Sequence, residues 1–329
     1  MNKIFKLLLI AILAISVIEV QAQDEDFKPH GKPVIKVFAD YHSIFTDGEA
    51  KNAFRITRAY VGYQYSFSKN FSAKVVMDFG DPAFGKFQLT AYLKNAYLKY
   101  KYNKLTASFG MIGTTGFKVQ EDFWGYRYIY KSFQDAYRLN PSADLGLTVK
   151  YDFFDFLSAD FSLFNGDGYK IIKVDTALKV AGGVTATPLK GLILRVYYDY
   201  MKREAPEQTI SVFAGYTFKK IRLGGEYNHQ LNHGMIKDKD FSGYSIYSAY
   251  QLHKRWSVFA RYDNLYSEKM ESTDENPWNF DVDGQLIMAG FDYSPVKGVK
   301  LAINYRGWVP TDSDNSLVHG AYLNVEFKL

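Results

Sequence analysis

The chain has 329 residues, of which 27 are Tyr and 26 Phe, no cysteine, and a formal net charge of +5. The absence of cysteine excludes disulfides and thiolate metal sites, and a charge this mild and evenly spread gives no electrostatic footprint for nucleic acid. Beyond the amino terminus no segment approaches the roughly 18 uninterrupted apolar residues of a spanning helix, so any membrane crossing has to be made by strands.

Residues 1–22 read as an export signal: Lys3 and Lys6 supply a positive start, Leu7 to Ile18 an apolar run, and Val20-Gln21-Ala22 small residues for cleavage. Losing Lys3, Lys6 and Glu19 lowers the formal charge from +5 to +4. Residues 23–33 are expected to be a short periplasmic segment, too short for a plug domain, with a barrel over 34–329.

Downstream, short polar breaks lie at Ser68-Lys69-Asn70, Asn103-Lys104, Asp152 to Asp155, Leu189-Lys190-Gly191, Lys219-Lys220, His253-Lys254-Arg255 and Pro295 to Gly298. They read as tight turns. Longer polar or Gly-containing stretches fall near 46–53, 80–87, 112–142, 165–175, 202–207, 231–239, 266–282 and 309–316. Seven short connections alternating with eight long ones predict sixteen strands, with both termini on the short-turn side. Bacterial outer-membrane barrels have an even strand number, short periplasmic turns and long external loops. The expected fold is therefore all-β: a closed antiparallel transmembrane barrel.

The runs between these breaks alternate with the two-residue period of a strand. Leu192, Leu194, Val196, Tyr198 and Tyr200 share one face, against Arg195 and Asp199 on the other. Ile221, Leu223 and Tyr227 oppose Arg222, Glu226 and Asn228, while Trp256, Val258, Ala260 and Tyr262 oppose Arg261 and Asp263. Val299, Leu301, Ile303 and Tyr305 oppose Lys300, Asn304 and Arg306. The chain ends in the same pattern, with Ala321, Leu323, Val325, Phe327 and Leu329 on one face. An Arg or Lys facing mid-membrane lipid costs about 2–4 kcal/mol, so the charged faces should point into a wet interior. The aromatic richness suits two interfacial girdles.

The longest connection, Ile112 to Ser142, lacks clear periodicity and carries eight aromatic residues between Phe117 and Tyr137. Segments of this length without periodicity are seldom idle. It is expected to fold into the barrel as the third loop and narrow the lumen, bringing Lys118, Arg127, Lys131 and Arg138 to a constriction. An external flap or a subunit contact is the alternative.

Phe54-Arg55-Ile56-Thr57-Arg58-Ala59-Tyr60-Val61-Gly62 resembles the early arginine-bearing strand of the phosphate-selective porins of the porin O and porin P type. Leu93-Lys94-Asn95-Ala96-Tyr97-Leu98-Lys99-Tyr100 is similar to their aspartate-alanine-tyrosine strand, and Phe109-Gly110 to Gly116-Phe117 and Ser142 to Gly146 flank the loop in matching places. The resemblance covers about residues 34–165. It implies a trimeric diffusion porin with sixteen strands, and places Arg58, Lys99 and Lys74 among the basic lining. Asn95 replaces the family's usual acid, Leu329 stands where a terminal aromatic is common, and Asp199, Glu226, Asp263 and Glu326 share the later strands with the basic residues. Facing rows of opposite charge orient polar solutes without strongly choosing a sign.

The expected lining is Arg58, Lys99, Lys118, Arg127, Lys131, Arg138, Arg195, Arg222, Arg261 and Arg306. Expected partners are outer-membrane lipid and lipopolysaccharide, small polar solutes or ions (anions such as phosphate among them) and two further copies of the chain. No catalytic residues, cofactor or metal are expected: His229 and His233 are four apart but fall in a loop, and no P-loop or calcium-loop spacing occurs. The competing function class is a barrel with a blocked lumen that acts as a surface adhesin or hydrolase.

Overall fold

Side chains that alternate in polarity can satisfy both a hydrocarbon exterior and a wet interior only if every strand edge is paired, which closes the sheet. The computed structural model describes residues 27–80, 89–171, 177–270 and 276–329 and shows such closure. The export-signal reading of 1–22 lies outside the described residues. The first eight strands are β1 (His30–Thr46), β2 (Glu49–Ser66), β3 (Phe71–Gly80), β4 (Thr90–Tyr102), β5 (Leu105–Gly113), β6 (Ala143–Phe154), β7 (Leu157–Phe164) and β8 (Lys179–Ala186). The others are β9 (Leu192–Lys202), β10 (Pro206–Phe218), β11 (Ile221–Leu231), β12 (Phe241–His253), β13 (Trp256–Ser267), β14 (Gly284–Tyr293), β15 (Val299–Pro310) and β16 (Val318–Lys328). Each pairs antiparallel with its sequence neighbours. β1 closes on β16 in a register running from Lys36 opposite Lys328 to Phe45 opposite His319. Two short helices, α1 (Lys118–Trp124) and α2 (Phe133–Ala136), lie in the connection between β5 and β6.

The expected faces hold. Val196, Leu223, Ile246, Ile303 and Leu323 are exposed on the outer surface, while Arg195, Asp199, Glu226, Asn228, Arg261, Asp263, Asn304 and Asn324 point inward and are buried. Aromatic pairs stack on the outer surface near the short-turn end, Tyr216 with Phe218 (6.3 Å between centroids) and Trp256 with Tyr293 (4.2 Å).

Three boundaries differ from expectation; one is the stretch near 202–207, which is only the three residues 203–205 because Lys202 pairs with Pro206. β1 starts at His30 rather than 34. The stretch near 46–53 is not a long connection: Asp47 and Gly48 adopt φ of 53° and 80°, and Thr46 pairs directly with Glu49. Two consecutive positive φ values give a two-residue turn whose twist matches the strands, so β1 and β2 run to its tip despite their polar sequence.

Replacing Val196, which is 56% exposed near the middle of β9, with Arg should lower folding stability by about 2–4 kcal/mol. Urea titration of folding into lipid vesicles measures this, and an unchanged midpoint would contradict a lipid-facing position.

Candidate functional site

The segment between Gly113 and Ala143 turns into the barrel. Gln120 and Trp124 of α1 and Phe117 at its N-cap lie on one side and are buried, while Lys118 and Asp122 lie on the other and are exposed, so the helix turns two rings and an amide that donates to Ser211 towards the wall. Gly125, at φ of 72°, ends it, with its N–H donated to the Glu121 carbonyl. Trp124 is 1% exposed and packs edge-on against Tyr247 and Phe259; Tyr126 lies against Phe259 at 4.8 Å. Phe123 sits against Phe213 and over Gly215, where a Cβ would meet its ring at 2.7 Å. Phe133, fully buried, likewise fills the space a side chain at Gly243 would need. Glycine on the inner wall is what lets these rings approach the backbone.

An irregular segment leaves main-chain groups without partners, and the wall supplies them. Arg195 donates to the Thr115 carbonyl (2.9 Å), Arg222 to that of Trp124 (3.0 Å), Lys300 to that of Gly125 (3.3 Å) and Arg261 to that of Lys131 (2.7 Å). Gln230 donates to the Leu139 carbonyl at 3.0 Å, Gln134 to Asn228 at 2.8 Å and Tyr137 to Asp263 at 3.1 Å. Tyr128 donates to Asp292. These partners all belong to strands from β9 to β15, so the loop is fastened to that half of the wall.

The opposite half, β1 to β7, faces the loop's free side. There Arg127 bridges Glu121 (3.3 Å) and Asp135 (2.9 Å), and Lys131 lies 3.6 Å from Asp135. Burial works against the Asp135 carboxylate, but Arg127 and Lys131 outweigh it and hold its pKa below the usual range. Burial pushes the Lys131 ammonium down. On the wall, Asp78 accepts from Arg58 (3.2 Å) and from the Tyr169 hydroxyl (2.6 Å), with Lys94 at 3.7 Å. The two sides sense each other: Asp78 and Tyr60 act on Arg127, and Lys94 and Arg58 act on Asp135. Four cations (Arg58, Lys94, Arg127, Lys131) thus meet three carboxylates (Asp78, Glu121, Asp135) across the boundary between loop and wall. The side chains bordering it keep partial access to solvent, Arg58 at 14%, Arg127 at 20% and Lys131 at 38%.

Strand bulges aim the wall side. The β1–β2 register slips beside Arg58, and the β3–β4 register slips at Lys94. An extra residue re-aims a side chain, and both bulges sit where the wall meets the loop's charges. Nearer the short-turn end, Lys36, Lys74 and Lys99 line the same half of the lumen. The charges acting on Lys74 come from Lys99, Lys36, Lys118 and Lys32. Among the described residues, none of Lys36, Lys74 and Lys99 makes an ion pair.

The expected lining residues therefore separate into two groups. Arg58, Lys99, Lys118, Arg127 and Lys131 border the free side of the loop, and Arg138 is exposed towards the long-loop end near Lys170. Arg195 and Arg261 point inward but are buried behind the loop as donors to it, with carboxylate partners in Asp160 and Asp263. Arg222 serves the Trp124 carbonyl, and Arg306 lies over the Tyr130 and Tyr322 rings, 3.8 Å from the latter. Alternation announces an inward side chain; it says nothing of whether a loop covers it. Lys36, Asp78, Lys94 and Tyr169 were not among the expected residues. Lys74, Val76 and Asp78 share one face by simple alternation, a signal that was present, whereas the bulge that turns Lys94 inward leaves none. His229 contacts Ser242 and His233 stacks on Trp278, so the two histidines do not converge.

A closed barrel of sixteen strands with its third loop folded against one half of the inner wall has the porin architecture. No family model and no curated protein matches the chain. Among solved structures it is similar to the outer membrane channel DcaP of Acinetobacter baumannii, at 13% identity and a TM-score of 0.67 over 92% of this chain and 97% of that one. It is also similar to OmpF of Salmonella typhi in complex with daunomycin (15%, TM-score 0.69, 91% and 97%). Pseudomonas putida OprB at high pH gives 10% identity and a TM-score of 0.71, with 91% and 94% covered. Likeness at these identities is a likeness of fold.

Arg261→Ala removes the cationic partner of buried Asp263 and the donor to the Lys131 carbonyl, and should cost about 3–5 kcal/mol. Lys131→Ala, at the part-exposed pair, should cost less than about 1 kcal/mol. Urea titration of both variants followed by tryptophan fluorescence checks the ordering; equal losses would contradict the fastening described.

Proposed function

We propose that the protein is an outer-membrane diffusion channel for small polar or ionic solutes, anions such as phosphate among them, with weak selectivity. The observation that carries this reading is the one-sided fastening of the loop. Its apolar face packs against β9 to β15, joined at the seam by Phe38 of β1 and Tyr60 of β2, while its charged face stands opposite the charged residues of β2 to β4. A segment meant to block the lumen would bury both faces. Size would be set by the gap between loop and wall, and sign by the slight excess of cations there together with Lys36, Lys74 and Lys99. The three carboxylates at the gap keep that preference small. The outer face suits lipid and lipopolysaccharide, the short turns would face the periplasm, and the resemblance of residues 34–165 to phosphate-selective porins supports a homotrimer.

Single-channel recording in planar bilayers tests the proposal. Stepwise ohmic conductance is expected, with a reversal potential in asymmetric potassium chloride displaced slightly towards anions. Changing Lys36, Lys74 and Lys99 to Gln should move that potential towards cations. Removing Phe123 to Phe133 should raise the unitary conductance. Silence at every voltage from folded protein would instead favour an adhesin or hydrolase with a closed lumen.

A further inference from the structure

The two ends of the barrel carry opposite charge. The seven short turns hold eight Lys or Arg and a single acid, Asp155. At the other end the described residues of the seven connections apart from the constriction loop hold ten Asp or Glu against five Lys or Arg. The basic charge is densest along three successive turns: Lys219-Lys220, Lys254-Arg255 and Lys297. Backbone hydrogen bonds tie these turns together, Gln251 N–H to the Lys220 carbonyl (2.9 Å) and Ser294 N–H to the Arg255 carbonyl (2.9 Å). Among the described residues none of these five cations makes an ion pair. Directly beside them on the outer surface lie the stacked pairs Tyr216–Phe218 and Trp256–Tyr293, and the Lys219 ammonium is 5.1 Å from the Phe218 ring centre.

Aromatic girdles sit at headgroup depth, so cations one or two residues past the girdle lie at the level of lipid phosphates. A zwitterionic headgroup brings its own ammonium to that level, whereas an anionic phosphodiester lipid does not. We infer that the arc of turns from β10 to β15 is a docking surface for anionic phospholipids of the periplasmic leaflet. Its unpaired Lys and Arg take the phosphodiester, and the neighbouring aromatic girdle takes the upper acyl chain. The inference rests on the reading that the short turns face the periplasm; it does not depend on whether the lumen conducts.

Trp256, adjacent to Arg255 in this arc, supplies a local probe. The full-length mature protein, folded into vesicles, would be titrated with phosphatidylglycerol or phosphatidylcholine brominated in the acyl chains, and the quenching lost in Trp256→Phe assigned to this site. At low salt the anionic lipid should associate on the order of fivefold more strongly or better, since each basic residue near an anionic surface contributes about that factor. The preference should decline with added salt. Changing Lys219, Lys220, Lys254 and Arg255 to Gln, with folding verified by heat-modifiable electrophoretic mobility, should bring the ratio to one. A ratio of one in the unaltered protein, or a preference that survives the fourfold change, would overturn the inference. A non-conducting barrel that kept the lipid preference would overturn the channel proposal alone.

Discussion

An irregular stretch of chain inside a closed barrel has no strand ladder to satisfy its main chain, and the arrangement of this lumen follows from that constraint. The carbonyls of Thr115, Trp124, Gly125 and Lys131 each receive a donor from a basic side chain on the wall. Arg is suited to the task because one planar head can serve a carbonyl and a carboxylate together. Arg261 does so with Lys131 and Asp263, and Arg195 with Thr115 and Asp160. The carboxylates on these strands therefore balance guanidinium groups that are occupied elsewhere, and little of that charge is left to act on a passing solute. Charge that remains available to solvent is concentrated on the other half of the barrel.

This division explains which parts of the architecture could be read in the sequence. A strand records its environment at every second residue, so Leu192 to Tyr200 and Val299 to Arg306 disclosed both their existence and their orientation. Connections announced themselves by polarity and Gly, except at Asp47-Gly48 and Arg203 to Ala205, where the polar flanks are themselves strands beside a tight turn. The aromatic content of the third connection showed that it must pack against something. Which half of the wall it would choose was not legible, since the choice depends on glycines at 215 and 243 on strands about a hundred residues away. For the same reason Arg195 and Arg261 could not be distinguished from Arg58 by alternation alone.

Position within a bulge was a second blind spot. The slip that places Lys94 beside Asp78 and Tyr60 breaks the two-residue period for a single residue, too briefly to register against the runs on either side. Local irregularities of this kind are common where a wall must aim side chains, and they carry much of the site's geometry while contributing least to its pattern.

The seam between β1 and β16 joins segments that are nearly three hundred residues apart in the chain. Until Val318–Lys328 has emerged from synthesis, the first strand has no partner on one side, and the growing sheet keeps two open edges. Pairings between such distant segments form late, because the entropy of bringing the ends together must be overcome first. During that interval the Leu-, Phe- and Tyr-bearing surface is ready to aggregate in water. Only when both ends meet is every edge of the sheet paired and the apolar face left to hydrocarbon alone.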